Sequence, residues 1–378
     1  MSGRWVALQP APWKVAAGGA GLLLNLPGTN ALGQRIAQVI DEARRDDTLF
    51  VITPVLEDDA AIEALLAARA RGARTKVITK LAEHRDGKLR FATRSDVTGE
   101  DLDAHFHATR RLTLGRIRIK SPQFLPHAKL VIAKGKVAIF SSANLTSNSL
   151  GSGFSSAVEA GLCFTAAEQV RDLAQAFVAL WDSCGMAQDL YEERIALQSV
   201  QAVPLRQETL PTKIGDTLEL CWSCHGVSDS LRKRLIEEIL KAKSRILLAA
   251  MSFYDADRVP ELESALLAAL ARGVEVTVIV RPEQFSAKQY PDPSTRRLLA
   301  AGLRLFGITG FHAKGFLVDR DHCGILSANF NPYSIGGGGV SSNFEMALCG
   351  ERSDKALTPF AEFLCALPGA ATHRFEIE

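Results

Sequence analysis

The sequence predicts an α/β fold made of two tandem domains, each a mixed β-sheet flanked by helices. Segments with the 3.6-residue period of a helix alternate with short apolar strands, and the whole pattern occurs twice along the 378 residues. A chain of this length is also too long for one ordinary hydrophobic core. Alternating helices and strands form layered domains because each helix buries its apolar stripe against a sheet.

The repeated elements can be matched one by one. Each half opens with a helical pattern followed by an apolar strand, at 34–52 (QRIAQVIDEARRDDTLFVI) and 232–251 (RKRLIEEILKAKSRILLAAM). The next helix of each half, within 61–80 and 261–281, ends at an Arg-Gly pair that is typical of a C-cap, and a strand follows it. Duplicated α/β halves commonly pack as a pseudo-two-fold dimer, and we expect that arrangement here.

The boundary between the halves is predicted from composition. Residues 196–213 are polar and contain Pro204 and Pro211, which favours a linker. We therefore expect residues 1–200 to form the first domain and residues 214–378 to form the second.

Two motifs of identical spacing carry the residues expected of an active site. In each motif a histidine and a lysine stand two residues apart, and an asparagine follows the lysine by fifteen. The two sets are His127, Lys129 and Asn144 in the first half and His312, Lys314 and Asn329 in the second. Residues two apart in a strand share a face, so each histidine is expected to point the same way as its lysine.

This set of residue types indicates the chemistry. Lysine does not ligate metals under ordinary conditions, so the composition matches no metal site. Two lysines and two asparagines instead suit a tetrahedral oxyanion held by charge-assisted hydrogen bonds. Two histidines can supply a nucleophile and a general acid, since imidazole serves as either near neutral pH. The predicted reaction therefore uses no metal and no other cofactor.

The doubled motif resembles the phospholipase D superfamily, in which HxK is followed by four residues, an aspartate and a GSxN-like segment. The second copy has Asp319 and then LSAN, which contains Ser327. The first copy has Lys134 in place of the aspartate and then SSAN, which contains Ser142. The aspartate is mainly structural in the superfamily, so the resemblance implies that the first copy stays catalytic.

The resemblance also implies roles for the titratable residues. His127, in the first copy, would attack phosphorus and form a phosphohistidine, and His312 would protonate the leaving alcohol and then activate water. The reverse assignment stays open because of Lys134. Glu159 and Glu345 match the downstream acid that hydrogen-bonds the histidine in family members and sets its tautomer.

A basic segment suggests the substrate. Residues 104–158 contain no acidic residue, and 110–120 (RRLTLGRIRIK) is the most basic part. Its alternating pattern predicts that Arg116, Arg118 and Lys120 share one strand face, with Arg110 and Arg111 beside them. A local field of this kind favours an extended polyanion such as nucleic acid, and the alternative is a solvated basic strand edge that blunts sheet pairing.

The sequence is therefore interpreted as that of a metal-independent nuclease, with DNA favoured over RNA as the substrate. The resemblance further suggests a bacterial antiphage or restriction system with helicase partners. Two alternatives stay open: a phospholipase D or phosphatidyltransferase, and a catalytically weakened subunit that binds nucleic acid. Cardiolipin-synthase-like members usually carry N-terminal membrane spans, and no apolar stretch here reaches about 18 residues. Seven scattered cysteines argue against a disulfide framework, so we expect a cytoplasmic protein.

Overall fold

The structure, a computed structural model, describes residues 3–13, 18–19, 21–85, 88–91, 102–153, 157–191, 194–285, 291–336 and 343–377. These residues divide into two compact units. The N-terminal unit lies within 23–156 and 161–216, and the C-terminal unit lies within 1–22, 157–160 and 217–378.

The helices alternate with the strands along the chain, as the sequence predicts. The α-helices are α1 (Ala31–Asp41), α2 (Asp59–Ala70), α3 (Leu102–Leu114), α4 (Ser147–Leu150), α5 (Ala167–Ser183), α6 (Ser230–Lys241), α7 (Leu262–Ala271), α8 (Pro293–Ala300) and α9 (Thr358–Ala366). Short 3₁₀ helices lie at Gln207–Thr209, Ala256–Arg258 and Pro282–Phe285.

The strands are short, and most belong to one large mixed sheet in each unit. They are β1 (Gly3–Ala7), β2 (Gly18–Gly19), β3 (Leu22–Leu26), β4 (Thr29–Asn30), β5 (Thr48–Ile52), β6 (Arg74–Ile78), β7 (Ala82–Arg85), β8 (Lys88–Phe91), β9 (Arg118–Ser121), β10 (Leu130–Ala133), β11 (Val137–Ser141), β12 (Glu159–Phe164), β13 (Met186–Tyr191), β14 (Arg194–Ser199), β15 (Lys213–Ile214), β16 (Leu218–Ser223), β17 (Arg245–Ala249), β18 (Glu275–Val280), β19 (Arg304–Gly307), β20 (Gly315–Val318), β21 (His322–Leu326), β22 (Glu345–Glu351) and β23 (His373–Ile377).

The two units have the same sheet topology. The N-terminal unit has the strand order β14-β13-β9-β6-β5-β10-β11-β12-β3, and the C-terminal unit has β1-β23-β19-β18-β17-β20-β21-β22-β16. In each, three strands are parallel (β5, β6 and β9; β17, β18 and β19), and the strand that follows the HxK motif pairs antiparallel with the central one. The predicted tandem repeat of mixed α/β sheets is confirmed.

Local sequence signals account for the helix ends. The Asp58 side chain accepts a hydrogen bond from the backbone N–H of Ala61 and caps α2. Both predicted Arg-Gly C-caps are present: Gly72 has φ +96° after α2, and Gly273 has φ +82° after α7. Glycine suits these positions because side chains disfavour the left-handed region.

Helices cover both faces of each sheet. In the N-terminal unit, residues of α1, α2 and α3 pack in one apolar core, and on α5 the ring of Phe177 stacks on Phe50 of β5 at 4.3 Å. In the C-terminal unit, α6, α7 and α8 contribute to the main core. On α9 the Phe360 ring lies where a Cβ on Gly315 would be, 2.6 Å away, so glycine allows this close contact. The sheet edge that carries the HxK motif is therefore anchored by packed aromatic rings.

The compact units differ from the predicted domain boundaries in three places. The N-terminal strand β1 pairs with β23 and belongs to the C-terminal unit, as do residues 157–160. The start of the predicted linker, residues 196–199, forms part of β14, which pairs with β13. Composition could not show these differences because they depend on pairing between distant segments.

Candidate active site

In each unit the HxK motif lies directly before a central antiparallel strand. His127 and Lys129 precede β10, and His312 and Lys314 precede β20. The predicted strand for these residues thus begins one position after the lysine. Because β10 and β20 run antiparallel to β5 and β17, their first residues lie at the edge where the parallel strands end. Ligands of α/β sheets commonly bind at this edge.

Each motif lysine is tied to its own histidine. The Nζ of Lys129 donates to the carbonyl oxygen of His127 at 2.6 Å, and the Nζ of Lys314 donates to that of His312 at 2.7 Å. Both lysines are buried, whereas His127 is half-buried. A hydrogen bond of this kind holds each ammonium group beside its histidine.

Burial perturbs the Lys314 ammonium strongly. Burial lowers the pKa of Lys314 from 10.5 to about 8, although the carboxylates of Glu159 and Glu345 oppose this by favouring the charged form. The guanidinium of Arg281 lowers the pKa further by repulsion. The lysine is therefore charged at neutral pH but loses its proton far more easily than an exposed lysine.

Glu159 orients His312. The Nδ1 of His312 lies 2.6 Å from Oε1 of Glu159, and both side chains are buried. A carboxylate accepts only, so Nδ1 carries the proton and Nε2 keeps its lone pair in the neutral imidazole. This contact identifies Nε2 as the atom available for reaction.

The backbone around Glu159 supports the same contact. The carbonyl oxygen of Val158 accepts hydrogen bonds from the N–H groups of His312 (2.9 Å) and Ala313 (2.7 Å), and the Val158 N–H donates to Gly310 (2.9 Å). A glutamate from the first half of the sequence thus serves the histidine of the second half. The resemblance predicts Glu159 as an acid that hydrogen-bonds a histidine, but it does not predict that this histidine is His312.

The other predicted residues of the C-terminal unit lie at the same sheet edge. The Ser327 hydroxyl donates to Oε2 of Glu345 at 2.5 Å and accepts from the Met346 N–H at 3.0 Å. Asn329 follows β21, and its Oδ1 is buried with no hydrogen-bond partner among the described residues. Its amide therefore has hydrogen-bonding capacity that the described part of the chain does not use.

In the N-terminal unit, Ser142 and Asn144 occupy the equivalent positions after β11. Both are buried, with Asn144 6% exposed, the same value as Asn329. The repeat therefore extends from sequence spacing to the burial of the asparagine side chains.

Asp319 lies at the opposite end of β20 from the HxK motif. Its carboxylate accepts hydrogen bonds from the backbone N–H groups of Lys243, Ser244 and Arg245 and from the Ser244 hydroxyl. Burial raises the pKa of Asp319, but these hydrogen bonds together have the larger effect and lower it to about 2. Its contacts are those of a residue that links β20 to the start of β17.

At the equivalent position, Lys134 keeps the backbone hydrogen bond to the neighbouring strand, but its side chain cannot accept from N–H groups as the Asp319 carboxylate does. The Lys134 N–H donates to the carbonyl of Thr48 at 2.9 Å, just as the Asp319 N–H donates to Arg245 at 2.8 Å. An acid lies just before the neighbouring strand β5: Asp47 accepts from the ammonium of Lys136 at 2.7 Å, which lowers the pKa of Asp47.

The predicted strand face of the basic segment is wrong for Arg116. Arg116 lies in a turn with φ +61°, and β9 begins only at Arg118. Arg110 and Arg111 belong to the last turns of α3, where Arg111 forms ion pairs with Asp59 and Glu63. The helix extends further than the alternating pattern indicates because Leu112 and the residues around it pack in the core.

Arg118 and Lys120 do share a strand face, together with Lys76 of the adjacent strand β6. The three cations surround the Trp181 ring: Lys76 Nζ lies 5.2 Å from its centroid, Arg118 Cζ 5.8 Å and Lys120 Nζ 5.0 Å. Burial and then repulsion from Arg118 and Lys120 lower the pKa of Lys76, while Asp182 acts in the opposite direction. We call Lys76, Arg118 and Lys120 the Trp181 cation cluster; sequence reasoning missed Lys76 because it lies 42 residues before Arg118.

Two further features bear on the choice of function. Within the described ranges, no group of three or more histidine, cysteine, aspartate or glutamate side chains could hold a metal ion. In the same part of the chain, none of the helices combines the length and the apolar character needed to cross a bilayer.

The chain is similar to proteins of known fold. A family model described as "Cardiolipin synthase, PLD-like domain" matches residues 36–181 and 235–362. Phosphatidylserine synthase of Haemophilus influenzae Rd KW20 is 14% identical, with a TM-score of 0.65 over 98% of this chain and 88% of that one. Polyphosphate kinase of Porphyromonas gingivalis is 16% identical, with a TM-score of 0.55 over 92% of this chain and 50% of that one.

Nuc of Salmonella typhimurium, a phospholipase D family member, is 23% identical over 42% of this chain and 97% of its own, with a TM-score of 0.33. Identities this low support a shared fold and nothing finer, and the score for Nuc is too low to support even that. Among curated proteins, no match was found.

Proposed function

Because the chain belongs to the PLD-like family described as cardiolipin synthase, PLD-like domain, we propose that it is a metal-independent phosphodiesterase that cleaves nucleic acid through a phosphohistidine. The observation that carries the proposed chemistry is the buried Glu159–His312 pair. A carboxylate on Nδ1 stabilises the imidazolium and leaves Nε2 to give or take a proton.

In the proposed reaction, Nε2 of His127 attacks phosphorus and displaces an alkoxide. His312, charged and paired with Glu159, donates its Nε2 proton to that alkoxide and then takes a proton from the water that hydrolyses the phosphohistidine. Lys129, Lys314 and the motif asparagines stabilise charge on the non-bridging oxygens. These roles require both histidines to reach one phosphate, which the trapping experiment tests.

The preference for nucleic acid rests on the Trp181 cation cluster. Its positive charges repel one another, because Arg118 and Lys120 both lower the pKa of Lys76, while Asp182 acts in the opposite direction. A polyanion would relieve this repulsion and release its own counterions on binding. Arg110, Arg111 and Arg116 support the proposal less, since Arg111 is already neutralised by two carboxylates.

A phospholipid phosphodiesterase or phosphatidyltransferase is the second candidate. The description of the matching family names cardiolipin synthase, which favours a lipid substrate. A lipid headgroup presents one diester at a time on an apolar surface, so its cleavage should not depend on the cation cluster. A weakened subunit that binds nucleic acid without cutting it is the third outcome of the same tests. A function in antiphage defence with a helicase partner is a separate proposal.

The first experiment tests the chemistry. The His312→Ala variant is mixed with a nitrophenyl diester, whose good leaving group needs no general acid, and is quenched in mid-reaction. Phosphate should accumulate on His127 because the residue that activates water is missing. If phosphate is instead trapped on His312 of the His127→Ala variant, and none is trapped on His127 of the His312→Ala variant, the two histidines have the reverse roles. Turnover in both variants would refute the shared reaction.

The second experiment tests the substrate. Arg118→Gln should weaken binding to single-stranded and double-stranded nucleic acid regardless of sequence and lower the salt slope by about 0.7–0.9. Arg111→Gln is the matched control, because that arginine is already paired with Asp59 and Glu63. Equal slopes in both variants, or cleavage of phospholipid vesicles but not of nucleic acid, would favour the lipid reading.

A further inference from the structure

Arg281 lies at the edge of the sheet that carries the second HxK motif. It directly follows β18, and its N–H donates to the carbonyl of Met251 at 3.1 Å, which continues the pairing of β17 with β18. Since β20 pairs with β17 on the other side, Arg281 and Lys314 extend from the same edge, two strands apart. At the usual spacing of neighbouring strands their backbones are roughly 10 Å apart.

The guanidinium of Arg281 has a donor that the described residues do not use. Its Nε is buried and has no hydrogen-bond partner among the described residues. The nearest carboxylate oxygen, on Glu283, lies 3.7 Å from Nε, which is too long for a hydrogen bond, and 26% of the arginine side chain is exposed. A buried donor without an acceptor costs free energy unless a ligand supplies one.

Glu283 connects this arginine to the catalytic loop. Its Oε1 accepts a hydrogen bond at 3.0 Å from the N–H of Gly310, two residues before His312. The same Gly310 receives the Val158 N–H, so the segment before His312 is held from two sides. The acid thus holds the segment before the histidine while it keeps the arginine nearby.

Arg281 and Lys314 are two positive groups at this edge, although the carboxylates of Glu159 and Glu345 act on Lys314 with the opposite sign. Arg281 is close enough to Lys314 to repel its ammonium group, and an anion between or beside them would offset that repulsion. The planar fork of arginine matches two phosphate oxygens at once, which a lysine cannot do.

We propose that Arg281 binds the phosphate next to the scissile one and thereby selects substrates that have consecutive phosphodiesters. The backbones of Arg281 and Lys314 are two strands apart. This separation suits binding of a neighbouring phosphate by Arg281 better than binding of the scissile phosphate that Lys314 and Asn329 hold. This inference rests on the proposed nuclease function. It makes Arg281 a specificity-determining residue that sequence spacing did not reveal.

The test compares a dinucleoside monophosphate, which has one diester, with an octanucleotide. For Arg281→Gln, kcat/KM on the octanucleotide should fall about tenfold to a hundredfold, mainly through KM, and stay within about twofold on the dinucleotide. The salt slope for octanucleotide binding should fall by about 0.7–0.9, and Arg281→Lys should recover part of the loss.

The matched control is Arg304→Gln, which removes one charge from the opposite edge of the same sheet, where Arg304 pairs with Glu275. If Arg281→Gln lowers kcat/KM equally on both substrates, or if the folded variant loses no kcat/KM on the octanucleotide, the proposed role of Arg281 is wrong. The proposed nuclease function would be unaffected by either result. Wild-type protein that cuts neither nucleic acid would overturn the proposed function, and this inference with it.

Discussion

The depressed pKa of Lys314 predicts that activity and stability change in opposite directions at alkaline pH. Below pH 8 the ammonium is charged and can hold a phosphate oxygen, and above pH 8 it is neutral. The free-enzyme profile of kcat/KM should therefore fall as pH rises through about 8. The difference between 10.5 and about 8 corresponds to about 3 kcal/mol in favour of the neutral lysine.

Stability follows the opposite sign. Between pH 8 and 10.5 the unfolded chain keeps the proton on Lys314 that the folded protein has lost. The free energy of unfolding therefore rises with pH in that window. Urea unfolding of the wild type, with Lys314→Met as the reference that lacks the titrating group, should show this rise as a growing difference of up to about 3 kcal/mol.

Glu159→Gln sharpens the test. The carboxylate of Glu159 raises the pKa of Lys314, and a charge at about 4–6 Å commonly shifts a pKa by about one to three units. The alkaline limb of kcat/KM should move to lower pH by that amount, while Glu351→Gln, at an exposed position, should leave it in place. Turnover should also fall about 10²–10⁴-fold as His312 loses its partner. An alkaline limb near 10.5 in the wild type, or one that stays in place in Glu159→Gln, would refute the reasoning.

Further predictions concern the motif aspartate and metals. Lys134→Asp should leave the rate within about tenfold, or about 1.4 kcal/mol in barrier, because the Lys134 backbone already makes the same hydrogen bond to the neighbouring strand as the Asp319 backbone. A hundredfold gain in steady-state rate would show that the first motif is degenerate. Asp319→Asn should lower the free energy of unfolding by about 1–2 kcal/mol in urea titrations at neutral pH while activity persists. The wild-type contribution should be present above pH 3.8 and lost as pH falls through about 2, and a loss of activity without a loss of stability would contradict the structural role. Activity should survive EDTA, and strict dependence on added magnesium or manganese would exclude the proposed chemistry.

Local sequence patterns determined most of the fold. Helical and strand periodicities extend over ten to twenty residues, so the tandem α/β repeat and its Arg-Gly helix ends were predictable from neighbouring residues alone. The HxK and asparagine spacing was equally local, because the strand after each lysine and the strand before each asparagine form an antiparallel pair with a short turn. The Asp47–Lys136 ion pair could not be predicted in this way.

Tertiary structure decided which distant groups meet. Glu159 pairs with a histidine 153 residues away, beside the isolated bridge between Val158 and Phe311. Lys76 joins Arg118 and Lys120 around Trp181 because β6 and β9 are neighbours in the sheet although they are remote along the chain. A strand pattern could not show that Arg116 turns out of the face, since core packing extends α3 and a left-handed residue follows it. Sequence spacing specifies which side chains lie on the same helix or strand. The pairing of strands specifies which charged groups surround each side chain. The pKa of Lys314 and the position of Arg281 depend on this pairing.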